Sequence, residues 1–246
     1  MKVSRNEMIA ALSRAFEGSG HNIGDYEDAA HSVTWSHMVG LSSFDNIEIP
    51  PPSPKGGATP RLVFENNSTA IIDAGGADVC EHGSLAAQLA YSKSQKDDFA
   101  IVQLTNCRYP SLILYCLSLV ALRGLYISVY WQDSFGSHGA SFESGEAFPS
   151  YWLVCSDTEK MHSIVSTITI TCTRIPSLLA DAVARQVEHP EIERKEFSAA
   201  QLSANYSQSL EHGISVSEEH WQSLNAAAWP ILVPSDQLSR TGAGPG

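Results

Sequence analysis

The stretch from Phe99 to Trp131, FAIVQLTNCRYPSLILYCLSLVALRGLYISVYW, decides the fold class of this 246-residue chain. It opens with a short β-rich run, Phe99–Thr105, of the kind that forms a buried strand. Pro110 suits the first turn of a helix, and Gly124 suits its end. Leu125–Trp131 is again rich in β-branched and aromatic residues. A strand, a helix and a second strand in this order predict a parallel α/β unit with a right-handed crossover.

Two helices are predicted near the start of the chain. Ser4 and Glu7 form a capping-box pattern at the beginning of the first helix, which runs to Gly18. The second helix starts near Asp25 and ends in the stretch TWSHMVG, residues 34–40. A Trp-Ser-His cluster is unusual at a helix end, where Lys or Arg would be ordinary.

The regions on either side of the α/β unit complete the outline. A proline-rich segment, residues 50–60, predicts a connection, and RLVFE with TAIID predicts a hairpin around an Asn-Asn-Ser turn. The Gly- and Ser-rich residues 132–150 predict a loop. The remaining predicted elements are a helix at 84–95, strands at 151–155 and 165–171, and helices at 177–188, 197–211 and 217–228.

These elements predict an α/β fold class. We expect a central mixed β-sheet with flanking helices, and a small helical subdomain formed by the N- and C-terminal segments. The expected division is residues 1–60 for the N-terminal helical part, 61–190 for the sheet, and 191–246 for the C-terminal helical part.

The charge balance restricts the classes of partner. The chain has 15 Lys and Arg against 27 Asp and Glu, a formal net charge of -12. Nucleic acids and anionic membranes require clustered positive charge, so neither is expected to bind. The apolar run 112–122 is too short to cross a bilayer. The first sixteen residues carry charges throughout and predict no secretory signal.

The cysteines predict a reducing compartment. Their number is odd and no C-x-x-C spacing occurs, so neither a disulfide framework nor a zinc site is indicated. The five are Cys80, Cys107, Cys116, Cys155 and Cys172. We therefore expect a cytoplasmic protein with no metal, in which most cysteines are small buried apolar residues.

Several segments resemble those of a known family. The segments ALSRAF…AAHSVTWSHMVG, AIIDAGG, VQLTNCRYPSLILYCLSLVALRGLYISVYWQDSFG and HGISVSEEHWQSL follow one another in this order. Their sequence and spacing resemble the malate/L-lactate dehydrogenase family, which comprises NAD(P)-dependent oxidoreductases that do not use the Rossmann fold. The resemblance aligns Ser36–His37 with the family's Ser-His pair, Val39 with its valine, and Asn106 with the asparagine of an Asn-His-Phe-Gly motif.

The chain also departs from this family at several motif positions. Met38 replaces the family's glycine, Leu41 replaces an arginine expected to contact the substrate carboxylate, and Cys107 replaces a histidine. The Gly-Thr-Asn-Pro, Lys-Gly and Thr-Asp-Pro segments of the family are not found. The chain therefore resembles a shortened, divergent relative whose missing length falls in the cofactor half.

The resemblance implies that His37 is the acid–base residue of a reductase, with Ser36 orienting it. A histidine also supplies such a group near neutral pH without extensive tuning. The alternative, a histidine that only caps the end of its helix, stays open.

Four further residues are candidates for substrate binding. Asn106, Cys107 and Arg108 follow a strand, at the edge where α/β sheets place ligands. Arg108 is a candidate anion ligand in place of the missing arginine, or it forms a surface ion pair. Cys107 either fills the space of the family's histidine or acts as a thiol nucleophile. His138, in FGSHGAS, is placed in a flexible loop able to close over a ligand.

Two functions from different classes follow. The first is reduction of a small 2-oxo acid or cyclic imino acid with NAD or NADP as cofactor. The second is a cofactor-free role, as a small-acid binding protein, an isomerase or lyase, or an accessory subunit that keeps the fold. A third hypothesis, a Cys107 thiol hydrolase, requires a histidine close to the sulfur. The resemblance also implies a homodimer.

Overall fold

The computed structural model describes residues 1–41, 59–155, 166–179 and 194–231. The helices in these ranges are α1 (Arg5–Gly18), α2 (Asp25–Met38), α3 (Val79–Asp97), α4 (Ile113–Ala121), α5 (Ala199–His212) and α6 (Glu218–Ala227), with 3₁₀ turns at Pro110–Leu112 and Trp229–Ile231. The strands are β1 (Lys2–Val3), β2 (Arg61–Glu65), β3 (Thr69–Asp73), β4 (Phe99–Cys107), β5 (Tyr126–Asp133), β6 (Gly136–Phe142), β7 (Ser150–Cys155), β8 (Ser166–Thr173), β9 (Arg194–Phe197) and β10 (Ile214–Ser215).

Most of the predicted elements are confirmed. Ser4 and Glu7 form the capping box that begins α1, and α2 spans the predicted second helix. Most of the predicted connection at 50–60, and the predicted helix at 177–188 beyond residue 179, lie outside the described residues.

Eight of the described strands form one mixed sheet in the order β2-β3-β4-β8-β5-β6-β7-β9. Only β3 and β4 pair in parallel, and the other neighbours are antiparallel. The two strands of the predicted α/β unit run parallel, as expected, but they do not pair with each other. Strand β8 lies between β4 and β5 and is antiparallel to both, so β4 and β5 run parallel without touching. Sequence order alone could not show that a later strand takes the central place.

The predicted loop at 132–150 is wrong over half its length. Residues 136–142 form β6, which makes a hairpin with β5. The turn is held by Asp133, whose Oδ1 accepts a hydrogen bond from the Phe135 amide at 2.8 Å. The glycines that suggested a loop instead permit close packing. A Cβ on Gly139 would lie 2.3 Å from the ring of Trp152 on β7.

Helices α3 and α4 cover one face of the sheet. The core between them is built from side chains that alternate along the strands, among them Val102, Leu104, Ile127, Val129, Ile168 and Ile170. This face is apolar because each buried side chain there is removed from water. Within the described ranges, no helix has the length and apolar character needed to cross a membrane.

The two ends of the chain pack together, as predicted. Strand β1 pairs with β10, with Lys2 opposite Ser215 and Val3 opposite Ile214. The amino terminus of Met1 donates to the carbonyl oxygen of Val216 at 2.7 Å, and α1 packs against α6. The fold class is therefore confirmed: a mixed sheet with flanking helices, and a subdomain built from both ends.

Candidate functional site

Helix α2 places Ser36 and His37 in its last turn, where Ser36 is buried and His37 is half-buried. The end of this helix is fixed by α5. Asn205 Nδ2 donates to the carbonyl oxygen of Val39 at 3.0 Å, and Ser209 Oγ donates to that of Met38 at 3.1 Å. These bonds satisfy carbonyl groups that a helix end leaves without an internal partner. The backbone that carries His37 is thus held by a second helix.

Aromatic side chains extend from α2 towards α4 and α5. The ring of His31 stacks on Tyr115 with centroids 6.0 Å apart, and Trp35 stacks on Phe148 at 6.3 Å. Phe148 in turn meets Tyr206 of α5 at 5.5 Å. Burial lowers the pKa of His31, which favours its neutral form. This aromatic cluster was missed by sequence reasoning, because its members come from separate parts of the chain.

Asn106 lies at the irregular end of β4 and joins it to the loop that follows β3. Its backbone is left-handed, with a φ of 53°, a conformation that asparagine tolerates. Its Nδ2 donates to Asp73 Oδ1 at 2.9 Å, and the Gly76 amide donates to its carbonyl oxygen at 2.7 Å. The hydrogen bond from Asn106 lowers the pKa of Asp73. The structure thus gives Asn106 a local structural role at the carboxyl edge of β3 and β4.

Arg108 forms an ion pair with Asp78, with its Nε 2.9 Å from Oδ1. Asp78 is 1% exposed, whereas the Arg108 side chain is 25% exposed. The Val79 amide donates to the Arg108 carbonyl oxygen and the Arg108 amide to that of Ala77, both at 3.0 Å. Burial raises the pKa of Asp78, and the positive charge of Arg108 opposes this rise. Arg108 therefore compensates a buried carboxylate. Sequence reasoning missed Asp78, whose only signal was an acidic residue before a helix.

Cys107 is fully buried. Its Sγ donates to the carbonyl oxygens of Ser166, at 3.4 Å, and of Leu104, at 3.8 Å. Burial raises the pKa of this thiol to about 12, so the nucleophilic thiolate is disfavoured at neutral pH. This environment supports a space-filling role for Cys107 and gives no support to a thiol hydrolase.

His138 does not lie in a flexible loop but in β6, where it is 6% exposed. Its Nδ1 is 2.6 Å from Tyr151 Oη, and its Nε2 is 2.9 Å from Asp133 Oδ1. The imidazole stacks on the ring of Trp131, with centroids 5.0 Å apart. Burial raises the pKa of Asp133, but hydrogen bonds from His138 and Phe135 lower it below its ordinary value. Each ring nitrogen therefore has a partner within the fold, which leaves His138 a bracing role in the sheet.

The candidate residues are not gathered at one point. Asp78 interacts electrostatically with His21 and Glu81, and Glu81 also acts on Asp25 at the start of α2. The Asp78–Arg108 pair therefore lies towards the beginning of α2. His37 lies twelve residues beyond Asp25, roughly 18 Å along a helix that rises 1.5 Å per residue. Arg108 and Asp78 are thus linked electrostatically, through Glu81, to the beginning of α2, whereas His37 stands at its end.

A metal ion and a nicotinamide cofactor each require particular side chains. Within the described ranges, no group of three or more His, Cys, Asp or Glu side chains is arranged to hold a metal ion. A dinucleotide requires cations or free amides for its diphosphate. Five basic side chains of the described part are paired with carboxylates, namely Arg61, Lys93, Arg108, Arg174 and Arg194. The described residues thus fit an acid–base group, and a diphosphate would have to be held by main-chain amides or by basic groups that these pairs do not fully engage.

Comparison with solved structures identifies the architecture. The chain aligns with malate dehydrogenase from Pyrococcus horikoshii OT3 at a TM-score of 0.65 and 13% identity, over 94% of this chain and 95% of that one. A putative malate/lactate dehydrogenase from E. coli aligns at 0.67 and 11%, over 98% of both chains. The chain has the malate/lactate dehydrogenase fold. Delta1-piperideine-2-carboxylate reductase from Pseudomonas syringae pvar. tomato aligns at 0.59 and 11%, over 92% and 99%.

Sequence comparisons add less than the structural ones. Residues 3–95 match a family described as protein of unknown function (DUF3726), which is less than half of the chain. No curated protein sequence matches. At identities of 10–13% to the solved structures, the similarity establishes the shared malate/lactate dehydrogenase fold alone.

Proposed function

We propose that this protein is an oxidoreductase that reduces a small 2-oxo acid or cyclic imino acid with NADH or NADPH, with His37 as its acid–base residue. The observation that carries the proposal is the Ser36–His37 pair at the anchored end of α2, in a chain with the fold of malate and lactate dehydrogenases and a piperideine carboxylate reductase. The substrate class and the cytoplasmic location are part of the same proposal.

His37 supports the proton half of such a reaction. A bound nicotinamide would supply the hydride to the substrate carbon. As negative charge develops on the carbonyl oxygen, or on the imine nitrogen, the imidazolium of His37 donates its proton to that atom. The negative end of the α2 dipole favours a positive charge at this position. Ser36 is proposed to orient the imidazole.

The proposal is tested by titrating the protein with NADH and NADPH while their fluorescence is followed, and then by assaying 2-oxo acids and cyclic imino acids. We expect His37→Gln to leave cofactor binding unchanged and to lower turnover by roughly 10²–10⁴-fold, the range for a lost general acid. His212→Gln is a matched control, because His212 also lies in the last turn of a helix but is exposed. No binding of either nucleotide at millimolar concentration would exclude a nicotinamide-dependent reductase.

A second candidate function is a cofactor-free role, as a small-acid binding protein, an isomerase or lyase, or an accessory subunit. It is favoured by the ion pairs that occupy basic side chains in the described part of the chain, above all Arg108 with Asp78. Under this proposal a small acid binds without any nucleotide. Nicotinamide recovered from the purified protein by mass spectrometry would rule it out.

A further inference from the structure

The sheet face turned away from α3 and α4 carries a row of hydroxyl groups. Ser128 of β5 lies directly opposite Thr171 of β8 and Ser141 of β6, and Ser141 lies opposite Ser150 of β7. Ser128 is only 4% exposed, yet its hydroxyl forms no hydrogen bond with the described residues. Ser128 lines a cleft on this face, so its hydroxyl is open to a ligand that enters the cleft.

One wall beside this row is formed by Trp152 and Arg194. Because Gly139 has no side chain, the Trp152 ring lies against it on the sheet. The Arg194 guanidinium lies over that ring, 4.9 Å from its centroid, and its Nε is 2.7 Å from Glu196 Oε1. Stacking and pairing together orient a side chain that otherwise has many rotamers. Glu196 engages Nε, and among the described residues no acceptor is bonded to the terminal nitrogens of Arg194, which can therefore donate to a ligand.

The row of hydroxyl groups and the wall border a cleft, and the beginning of α5 closes one end of this cleft. Ser198 and Gln201 form a reciprocal capping box, with the Ser198 amide donating to Gln201 Oε1 at 2.8 Å and the Gln201 amide to Ser198 Oγ at 3.2 Å. The amides of Ala199 and Ala200 have no partner within the helix, and the positive end of the helix dipole favours an anion. The serines of the hydroxyl row form the floor of the cleft, and together with the wall and the start of α5 they enclose about 320 Å³.

We propose that this cleft binds the phosphate group of a small phosphorylated molecule. Ser128 and Ser141 offer hydroxyl donors from the floor, Arg194 offers charged donors from the wall, and α5 offers amides from the end. Donors from three directions suit a tetrahedral anion better than a planar carboxylate. Glu196 is neutralised by Arg194 and 66% exposed, so it opposes the anion weakly. The volume exceeds that of phosphate alone, which leaves room for the molecule that carries it.

The first experiment is isothermal titration calorimetry of the full chain with inorganic phosphate, in chloride buffer at constant ionic strength. We expect saturable binding that weakens at least tenfold in Arg194→Gln and several-fold in Ser128→Ala. Arg174→Gln, which removes an exposed arginine paired with Asp98, and Ser137→Ala, which removes a β6 hydroxyl outside the cleft, should bind like the unmodified chain. Urea midpoints of all four variants separate lost binding from lost folding.

Three further ligands distinguish the sources of the phosphate. Ribose 5-phosphate binding more tightly than inorganic phosphate indicates a small phosphorylated metabolite. Competition by NADP⁺ but not by NAD⁺ indicates the 2′-phosphate of a dinucleotide. Binding of inorganic phosphate alone indicates the free anion. The proposal is overturned if phosphate gives no saturable heat, or if Arg194→Gln and the unmodified chain bind it equally. Neither result depends on whether His37 is catalytic.

Discussion

The buried carboxylate of Asp78 explains the position of the Arg108 side chain. Asp78 stands just before α3, where an acidic side chain ordinarily caps its own helix, but it makes no such capping bond. Instead it meets Arg108 across a bridge between two loops. A buried charge of this kind is tolerated only when an opposite charge compensates it. Of the two roles predicted for Arg108, the structure forms the ion pair, with a partner that is buried, and the binding of a substrate anion stays a prediction.

Arg108→Gln is expected to destabilise the fold by about 1–3 kcal/mol at pH 7, because Asp78 is left without its compensating charge. The folded chain already holds the Asp78 proton more tightly than the unfolded chain, since burial raises its pKa above 3.8. Stability from this group therefore falls as pH rises, and more steeply in the variant. Urea unfolding at pH 7, 6 and 5 should show a deficit that shrinks on acidification. Arg174→Gln, at an exposed pair, should show a deficit under about 1 kcal/mol at each pH. A deficit that is constant with pH would contradict this account of Asp78.

At the scale of elements, the end of α2 depends on α5, which lies more than 160 positions later in the chain. The local sequence gives no sign of the roles of Asn205 and Ser209, because both side chains donate to distant main-chain carbonyls, those of Val39 and Met38. Trp35 and Tyr206 are also more than 160 positions apart in the sequence, and the ring of Phe148 contacts both of them. The helix that carries the proposed acid–base residue closes its own end through main-chain bonds from Gly40 to His37 and from Leu41 to Ser36, and the contacts with α5 hold that closed end in place.

Asn205→Ala is expected to lower the free energy of unfolding by about 1 kcal/mol, since the Val39 carbonyl loses its partner. If His37 is catalytic, the variant should also lower kcat with little effect on KM, because the end of α2 is less well held. Ser207→Ala is the control, as among the described residues its hydroxyl donates within α5, to the Ser203 carbonyl oxygen. Equal urea midpoints for Asn205→Ala and Ser207→Ala would show that the anchor contributes nothing.

At the scale of the whole molecule, β8 sets the order of the strands in the sheet and β2 forms one of its edges. Strand β8 enters between β4 and β5 and converts a predicted parallel unit into a mixed sheet. Strand β2 forms an edge and is exposed along its length, with Leu62, Val63 and Phe64 in succession. Exposed apolar edges of this kind occur at contacts between chains. This edge supports the homodimer that was predicted from the sequence, which remains a proposal.

Light scattering coupled to size-exclusion chromatography tests that proposal directly. We expect a particle of twice the 26.6 kDa chain mass at micromolar concentration, with dissociation only on dilution well below it. A 26.6 kDa particle throughout the concentration range would mean that the chain is a monomer and that the exposed edge has another explanation.

The sequence by itself determined the local elements and the class of fold. Capping residues, prolines and the spacing of apolar residues act over a few positions, so α1, α2, the β2–β3 hairpin and the strands β4 and β5 could be predicted. Ser36 and His37 were correctly placed at the end of a helix for the same reason. Only the tertiary structure decided that β8 separates β4 from β5, that His138 is braced within a strand by Asp133 and Tyr151, and that Arg108 compensates the buried charge of Asp78. These are contacts between distant segments, and their free energy depends on burial and geometry that no local pattern records.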